Sequence, residues 1–146
     1  MNVIVDASVA VKWFVNEVGS TQALELRAYH DVAAPDIVLN ECRNAFLNKV
    51  RRQIISRHHA IQLEREFDLS DVTILSSTRF LADAFRLALD VGGALYDCVY
   101  LASAMATDRV LVTADERFST KARALGLAGG RVKLLSELAA APEAPG

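Results

Sequence analysis

The chain is punctuated by short apolar runs that are too brief for helices: 3–5 (VIV), 110–112 (VLV), 71–75 (DVTIL) and 131–135 (RVKLL). Runs of this length, rich in Val, Ile and Leu, make strands, and a run with no polar alternation makes a strand buried on both faces. Longer stretches lie between them, with apolar residues recurring near the helical period: 8–16, 20–30, 37–52, 57–68, 76–91, 94–107 and 113–125. Strands that alternate with helices pair in parallel, because each crossover helix returns the chain to the same end of the sheet. The expected fold is therefore α/β, a small parallel β-sheet with helices on both faces. Residues 32–34 (VAA) read only as a short apolar stretch ended by Pro35. Ser56 is expected to cap the helix 57–68, and Ser76 and Ser77 the helix to Val91. Thr113 with Glu116 matches a capping box. Gly92-Gly93 stop one helix, and Gly126, Gly129 and Gly130 make a loop.

Composition narrows the classes. With 146 residues, 52% of them hydrophobic, the chain can bury one real core. Residues 1–138 are expected to form that domain. Residues 139–146, which carry two of the three prolines, are expected to be a flexible tail. The net charge of −2 gives no bulk attraction to nucleic acid, so such binding needs local patches or metal ions. Cys42 and Cys98 lack Cys-x-x-Cys spacing, which fits a reduced, cytoplasmic setting rather than a disulfide framework. No basic-then-apolar leader and no uncharged run of ~20 residues are present, so neither secretion nor a membrane span is expected.

The chemistry lies in acids. Open parallel sheets gather ligands at the carboxyl ends of their strands. Asp6 directly follows the first strand, and Asp115 follows the strand 110–112 by a short turn. Glu41 sits on the apolar side of its helix beside Val38, Cys42 and Ala45. Asp97 stands among Tyr96, Cys98, Val99 and Tyr100, where a charge is costly unless it is paired, metal-bound or at a cleft edge. Plain structural explanations compete: Asp6 as a helix cap, and Asp115 and Glu41 as acids near a helix start favoured by the helix dipole, while Asp97 is the one such an explanation fits least. Converging carboxylates raise one another's pKa values, and a hard divalent cation is the usual relief. Oxygen ligands suit Mg²⁺ or Mn²⁺, which activates water for displacement at phosphorus.

The segments VDASVAVKWF (5–14), ECRN (41–44), LYDCVYLASA (95–104) and LVTADERF (111–118) together resemble the PIN domain, specifically the toxin subunit of VapBC-type toxin–antitoxin pairs. The resemblance spans nearly the whole chain. It implies a small parallel sheet sandwiched by helices in three layers. It also implies a Mg²⁺- or Mn²⁺-dependent endoribonuclease whose catalytic and metal-holding acids are Asp6, Glu41, Asp97 and Asp115. Ser8, Asn44 and Thr113 are implied as supporting residues. RNA is the implied substrate, a cognate antitoxin the inhibitor, and a homodimer the assembly. Cys98 departs from the Ala more usual in the family. As a small residue it puts little in doubt, and a redox role is the lesser reading.

Three rivals stay open on sequence. A haloacid-dehalogenase-like phosphatase wants Asp-x-Asp after its first strand, and here the motif is Asp6-Ala7-Ser8. A receiver-like domain expects an acidic pair before the phosphorylated strand and a later strand-end Lys. A catalytically inactive PIN-like binding module would need no acidic set. The basic stretch 49–59 (KVRRQIISRHH) reads either as a phosphate- or antitoxin-contacting patch or, preferably, as a solvated helix end complementing the dipole. Lys12 and Arg117 are better RNA-contacting candidates, being within about two helical turns of a site acid. Trp13 and Phe14 read as core or dimer contacts, and Tyr96 with Tyr100 as a packing pair. His58-His59 lack an i+4 ligand partner, which argues against zinc.

Overall fold

The computed structural model describes residues 1–124, 126 and 130–138. The expectations for Leu125, Gly129 and the tail 139–146 lie outside the described residues. The elements run β1 (Asn2–Val5), α1 (Ala7–Ala10), α2 (Ser20–Tyr29), β2 (Asp31–Pro35), α3 (Ile37–Arg51), α4 (Arg57–Glu66), β3 (Thr73–Leu75), α5 (Leu81–Val91), α6 (Leu95–Ala106), β4 (Val110–Thr113), α7 (Glu116–Ala124) and β5 (Val132–Leu134). Short 3-10 turns cover Val11–Trp13, Ser77–Phe80 and Leu135–Glu137.

All five strands are parallel, in the order β3-β2-β1-β4-β5. The first strand of the chain is thus the centre of the sheet. Val3, Ile4 and Val5 are fully buried, which is why that run carries no polar alternation. Right-handed crossovers put the helices between β1, β2 and β3 on one face and those between β3, β4 and β5 on the other. The α/β class and the two helical layers are as the alternation of runs predicts.

β2 is the element the sequence reading missed as a strand. It is an inner strand with Val32, Ala33 and Ala34 buried. Alanine has low strand propensity, so only its place between β1 and β3 makes the segment extended. The expected helix 8–16 also differs. It is one turn of α-helix that tightens to a 3-10 turn and ends at Phe14. Its run of Val9, Val11 and Val15 is β-branched, which weakens a longer helix.

Two expected caps move. Ser56 caps α4 by accepting from His59 N at 3.0 Å, as expected. Neither Ser76 nor Ser77 caps its own helix. Ser77 is buried, donates its hydroxyl to Asp36 Oδ1 and accepts from Ile37 N at 3.2 Å, so it serves the start of α3. Thr113 is the last residue of β4 and does not cap α7. Asp115 does, accepting from Phe118 N at 3.0 Å. The capping box fails because the Thr113 hydroxyl is spent on Asp6, one strand away.

α6 lies across β1, β2 and β4, with every residue from Cys98 to Ala104 buried. Phe14, Phe46 and Phe67 form an aromatic cluster, with ring centroids 4.9 to 6.4 Å apart. Trp13 donates its indole N–H to Ala23 O at 2.8 Å, under the Arg27 guanidinium. Both aromatics are packing residues of this chain, as their core reading anticipates. Tyr96 and Tyr100 are not a pair: Tyr96 is 58% exposed and Tyr100 2%. One helical turn carries Tyr96 out to solvent at the helix mouth. Among the described residues no single helix is long and apolar enough to cross a membrane.

Candidate active site

The strand order reverses between β1 and β4, the switch point at which an open parallel sheet gathers ligands at the carboxyl ends of its strands. Asp6 leaves the end of β1 and Thr113 ends β4, with Val5 opposite Val112 in register. Asp6 is 9% exposed and fully dressed. Ser8 Oγ donates to Oδ1 at 2.5 Å, Val9 N to Oδ1 at 3.3 Å and Thr113 Oγ1 to Oδ2 at 2.5 Å. Ala114 N donates to Ser8 Oγ at 2.9 Å, and Asp115 N to Thr113 Oγ1 at 3.0 Å. Asp6 is therefore both the helix cap and the centre of a hydrogen-bonded node joining the two strand ends. Two hydroxyls hold one carboxylate in one orientation, a rigidity that surface acids lack.

Burial pushes the Asp6 carboxyl up to about 6 against the hydrogen bonds of Ser8, Thr113 and Val9, and the negative charge of Asp97 adds to the push. Glu41, on α3, is raised by burial, despite the Tyr100 hydroxyl beside it, and again by Asp97. Asp97, in the first turn of α6, is raised by burial and then by Asp115, while Lys121 opposes. Asp97 is thus the electrostatic hub among the other three acids. The four sequence-predicted acids come together. Ser8 and Thr113 join them through Asp6. Asn44 is exposed on α3, one turn after Glu41, and its side chain has no hydrogen bond among the described residues.

The two candidate cations part company. Lys12 Nζ donates to Glu17 Oε1 at 3.1 Å and to Val18 O at 2.7 Å. Lys49, the first cation of the basic stretch, holds the other Glu17 oxygen at 2.9 Å. Burial favours protonated Glu17, yet Lys49 and Lys12 together keep its carboxyl below the usual range. These three residues tie the turn after α1 to α3. Arg117 is exposed on α7 with no partner among the described residues.

Two residues escaped sequence reasoning. Tyr100 puts its hydroxyl beside Glu41, but outside hydrogen-bond geometry, so Tyr100 OH and Glu41 Oε1 are both buried without a partner. Lys121 places a cation near Asp97. The i+3 step from Asp97 to Tyr100 was the available signal, since it puts both on neighbouring faces of one helix. Lys121 carried none, because only the fold brings α7 to α6. Cys98 and Cys42 are buried free thiols, raised by burial, Cys42 to about 12. That disfavours thiolate chemistry at either.

Among the described residues no three His, Cys, Asp or Glu side chains are arranged to hold a metal ion as they stand. The donor set nevertheless fits a hard cation. It is all oxygen, Asp6, Glu41 and Asp97 are each partly desolvated and each raised by a neighbouring carboxylate, and Glu41 Oε1 is an orphaned buried acceptor.

No curated protein sequence matches the chain. Among solved structures it is similar to the PAE2754 protein of Pyrobaculum aerophilum, with a TM-score of 0.64 and 21% identity over 93% of this chain and 92% of that one. It is similar to a chain of a toxin–antitoxin complex from Klebsiella pneumoniae, with a TM-score of 0.63 and 18% identity over 94% and 100%. It is also similar to VapC20 of Mycobacterium tuberculosis, described as a sarcin–ricin loop cleaving toxin, with a TM-score of 0.61 and 16% identity over 82% and 94%. At these identities the likeness speaks for the fold. The PIN domain profile matches residues 3–124, which contain every acid of the cleft. The chain belongs to the PIN domain family.

Proposed function

We propose that the chain is a divalent-metal-dependent endoribonuclease, the toxin of a toxin–antitoxin pair. It acts in the cytoplasm as a homodimer and is held inactive by a cognate antitoxin. One observation carries the reading. Asp6, oriented by Ser8 and Thr113 at the switch point of the sheet, shares its cleft with Asp97, whose charge reaches Asp6 and Glu41 and which in turn feels Asp115. Membership of the PIN domain family supports nuclease chemistry, and the likeness to VapC20 and to the Klebsiella complex supports a toxin with a protein inhibitor.

Asp6, Asp97 and Asp115 would hold Mg²⁺ or Mn²⁺, with Glu41 engaged directly or through water. Such an ion, when bound, supplies neutralisation of the acids, activation of water and charge stabilisation for in-line displacement at phosphorus. The chain's own groups do the rest. Ser8 and Thr113 fix Asp6 before any ligand arrives, so little ordering is left to pay for on binding. Thr113 also accepts the Asp115 N–H, which ties the second acid to the same node. Asn44 supports the edge of the cleft from α3. Arg117 is the cation free to meet an RNA phosphate, whereas Lys12 shapes the turn beside the cleft through Glu17.

The test uses the purified full chain, freed of any antitoxin, with a structured RNA and Mn²⁺. Cleavage is expected with Mn²⁺, and its loss in EDTA. Asp97→Asn is expected to abolish cleavage while melting and antitoxin binding persist. Cleavage at the wild-type rate in that variant, or undiminished cleavage in EDTA, would refute the reading.

A further inference from the structure

A pocket of about 240 Å³ opens at the carboxyl ends of β4 and β5. Two of its lining residues, Ala114 and Glu116, flank Asp115 in the chain. Ala114 N also donates to Ser8 Oγ at 2.9 Å, so this wall adjoins the node that holds Asp6. A second wall is Lys12, one helical turn after Ser8. Its ammonium is spent on Glu17 and on Val18 O, so Lys12 gives the pocket its apolar stem and not its charge. Gly19, at a φ of 90°, brings the backbone against that stem. A Cβ there would stand 3.4 Å from Lys12 Cδ and 3.2 Å from Leu135 Cδ2. Leu135 is buried and forms the apolar floor. On the rim stand Gln22, Glu116 and Ser136, all exposed, with side chains that have no partner among the described residues. No function derived above uses this pocket.

We propose that this pocket takes one unpaired nucleobase of the RNA, that of the nucleotide beside the scissile phosphate, and selects bases that carry an exocyclic amino group. The inference rests on the nuclease reading of the adjoining acids and deepens it. Size favours a base. The volume lies below the range of about 300–1,000 Å³ that holds a drug-sized ligand, so one flat ring system fits and the sugar and phosphate stay outside. The lining favours it too. The Leu135 floor and the Lys12 stem face the ring, and the rim groups face its edge, which is how splayed single-stranded bases are read. Lys12 is the one cation of the lining and it is engaged, so a phosphate finds no charge partner here. The rim sets the selection. The Glu116 carboxylate only accepts hydrogen bonds, so it pairs with the amino group of cytosine, adenine or guanine. Uracil has no amino group and presents two carbonyl oxygens, which the carboxylate repels. Gln22 carries an amide donor for the ring nitrogen beside the amino group.

The test pairs binding with cleavage, both on the full chain. Cytidine and uridine are titrated in EDTA into isotope-labelled protein and followed by amide NMR shifts. Cytidine is expected to shift the amides of Gly19, Gln22, Glu116 and Ser136. It is expected to bind at least about 10-fold more tightly than uridine, the effect of one hydrogen bond to a charged group. Glu116→Gln is expected to remove that preference, because an amide can also donate to a carbonyl, and to leave melting unchanged because the side chain is exposed. With Mn²⁺ and a single-stranded RNA library of random sequence, uridine is expected to be depleted beside the cut. Glu116→Gln is expected to restore it there, and Gln22→Ala to lower kcat/KM on the preferred sequences. A wild type that binds both nucleosides alike or neither at these amides, or that cleaves with the base profile of the two variants, overturns the pocket and leaves the nuclease standing. That includes the case in which only a protein side chain enters it. A preference for cytidine at these amides in a chain that cleaves no RNA overturns the nuclease reading and upholds the base site.

Discussion

Asp6→Asn is expected to make the metal-free protein more stable and inactive at once. In the folded chain the Asp6 carboxyl is raised from 3.8 to about 6, chiefly by burial. Two pKa units at 1.36 kcal/mol each mean that holding this group ionised costs about 3 kcal/mol. A raised carboxyl binds its proton more tightly in the folded state than in the unfolded one. Its contribution is therefore fully present below about pH 4, falls as pH rises from about 4 to about 6, and is lost above that. Asparagine carries no charge at any pH. It keeps the bonds that Ser8 and Val9 make to Oδ1, but turns the contact with Thr113 round, so that the hydroxyl must accept. Thr113 Oγ1 already accepts from Asp115 N, and sharing it costs about 1 kcal/mol. The net gain at pH 8 is about 1–2 kcal/mol, or roughly 3–8 °C in Tm for a chain of this size. The assay is urea and thermal unfolding in EDTA at pH 8 and at pH 4. The advantage should be present at the first pH and absent or reversed at the second. Adding Mn²⁺ should raise the wild-type Tm but not that of the variant, because only a state that binds ligand is stabilised by it. A variant less stable than the wild type at pH 8, or an advantage independent of pH, would show that Asp6 is not the desolvated charge described here.

Two further outcomes follow from groups around the cleft. Tyr100→Phe removes a buried hydroxyl that has no hydrogen-bond partner, so the change is expected to cost less than about 0.5 kcal/mol or to stabilise; a loss above about 1.5 kcal/mol in urea unfolding would mean that the hydroxyl does bond Glu41. Cys42 and Cys98, buried and raised, are expected to react with a thiol reagent such as an aromatic disulfide only as fast as the protein opens; rapid native-state labelling of either would contradict their burial.

How much of this was legible in the chain depends on the range of the cause. Val3-Ile4-Val5 announces a strand buried on both sides because no residue in it tolerates water, and the helical stretches from 20 to 107 show their period locally. Ala33 and Ala34 announce nothing, since a pair of alanines is extended only when β1 and β3 flank it. The serine and threonine caps show the same limit. A hydroxyl at a helix start can serve its own backbone or a distant carboxylate, and sequence spacing cannot rank the two. Ser56 serves its own helix, Ser77 serves Asp36, and Thr113 serves Asp6.

The acids divide in the same way. That Asp6 and Asp115 would stand at strand ends is written in the order of residues, because Asp6 directly follows one buried apolar run and Asp115 follows another by a short turn. That they stand at the same cleft is a property of the strand order, which puts the first and fourth strands side by side. The placement of Asp97 and Glu41 against them is set by α6 and α3 packing beside the central strands, and so is the meeting of Tyr100 with Glu41. Lys12 shows the converse: a cation six residues from Asp6 reads as a substrate contact, yet the fold gives it Glu17 instead. The sequence alone determined which segments must be buried and which chemical groups were available. The tertiary structure decided which of those groups share a low-dielectric cleft, because charge coupling depends on distance through space, and only packing sets that distance.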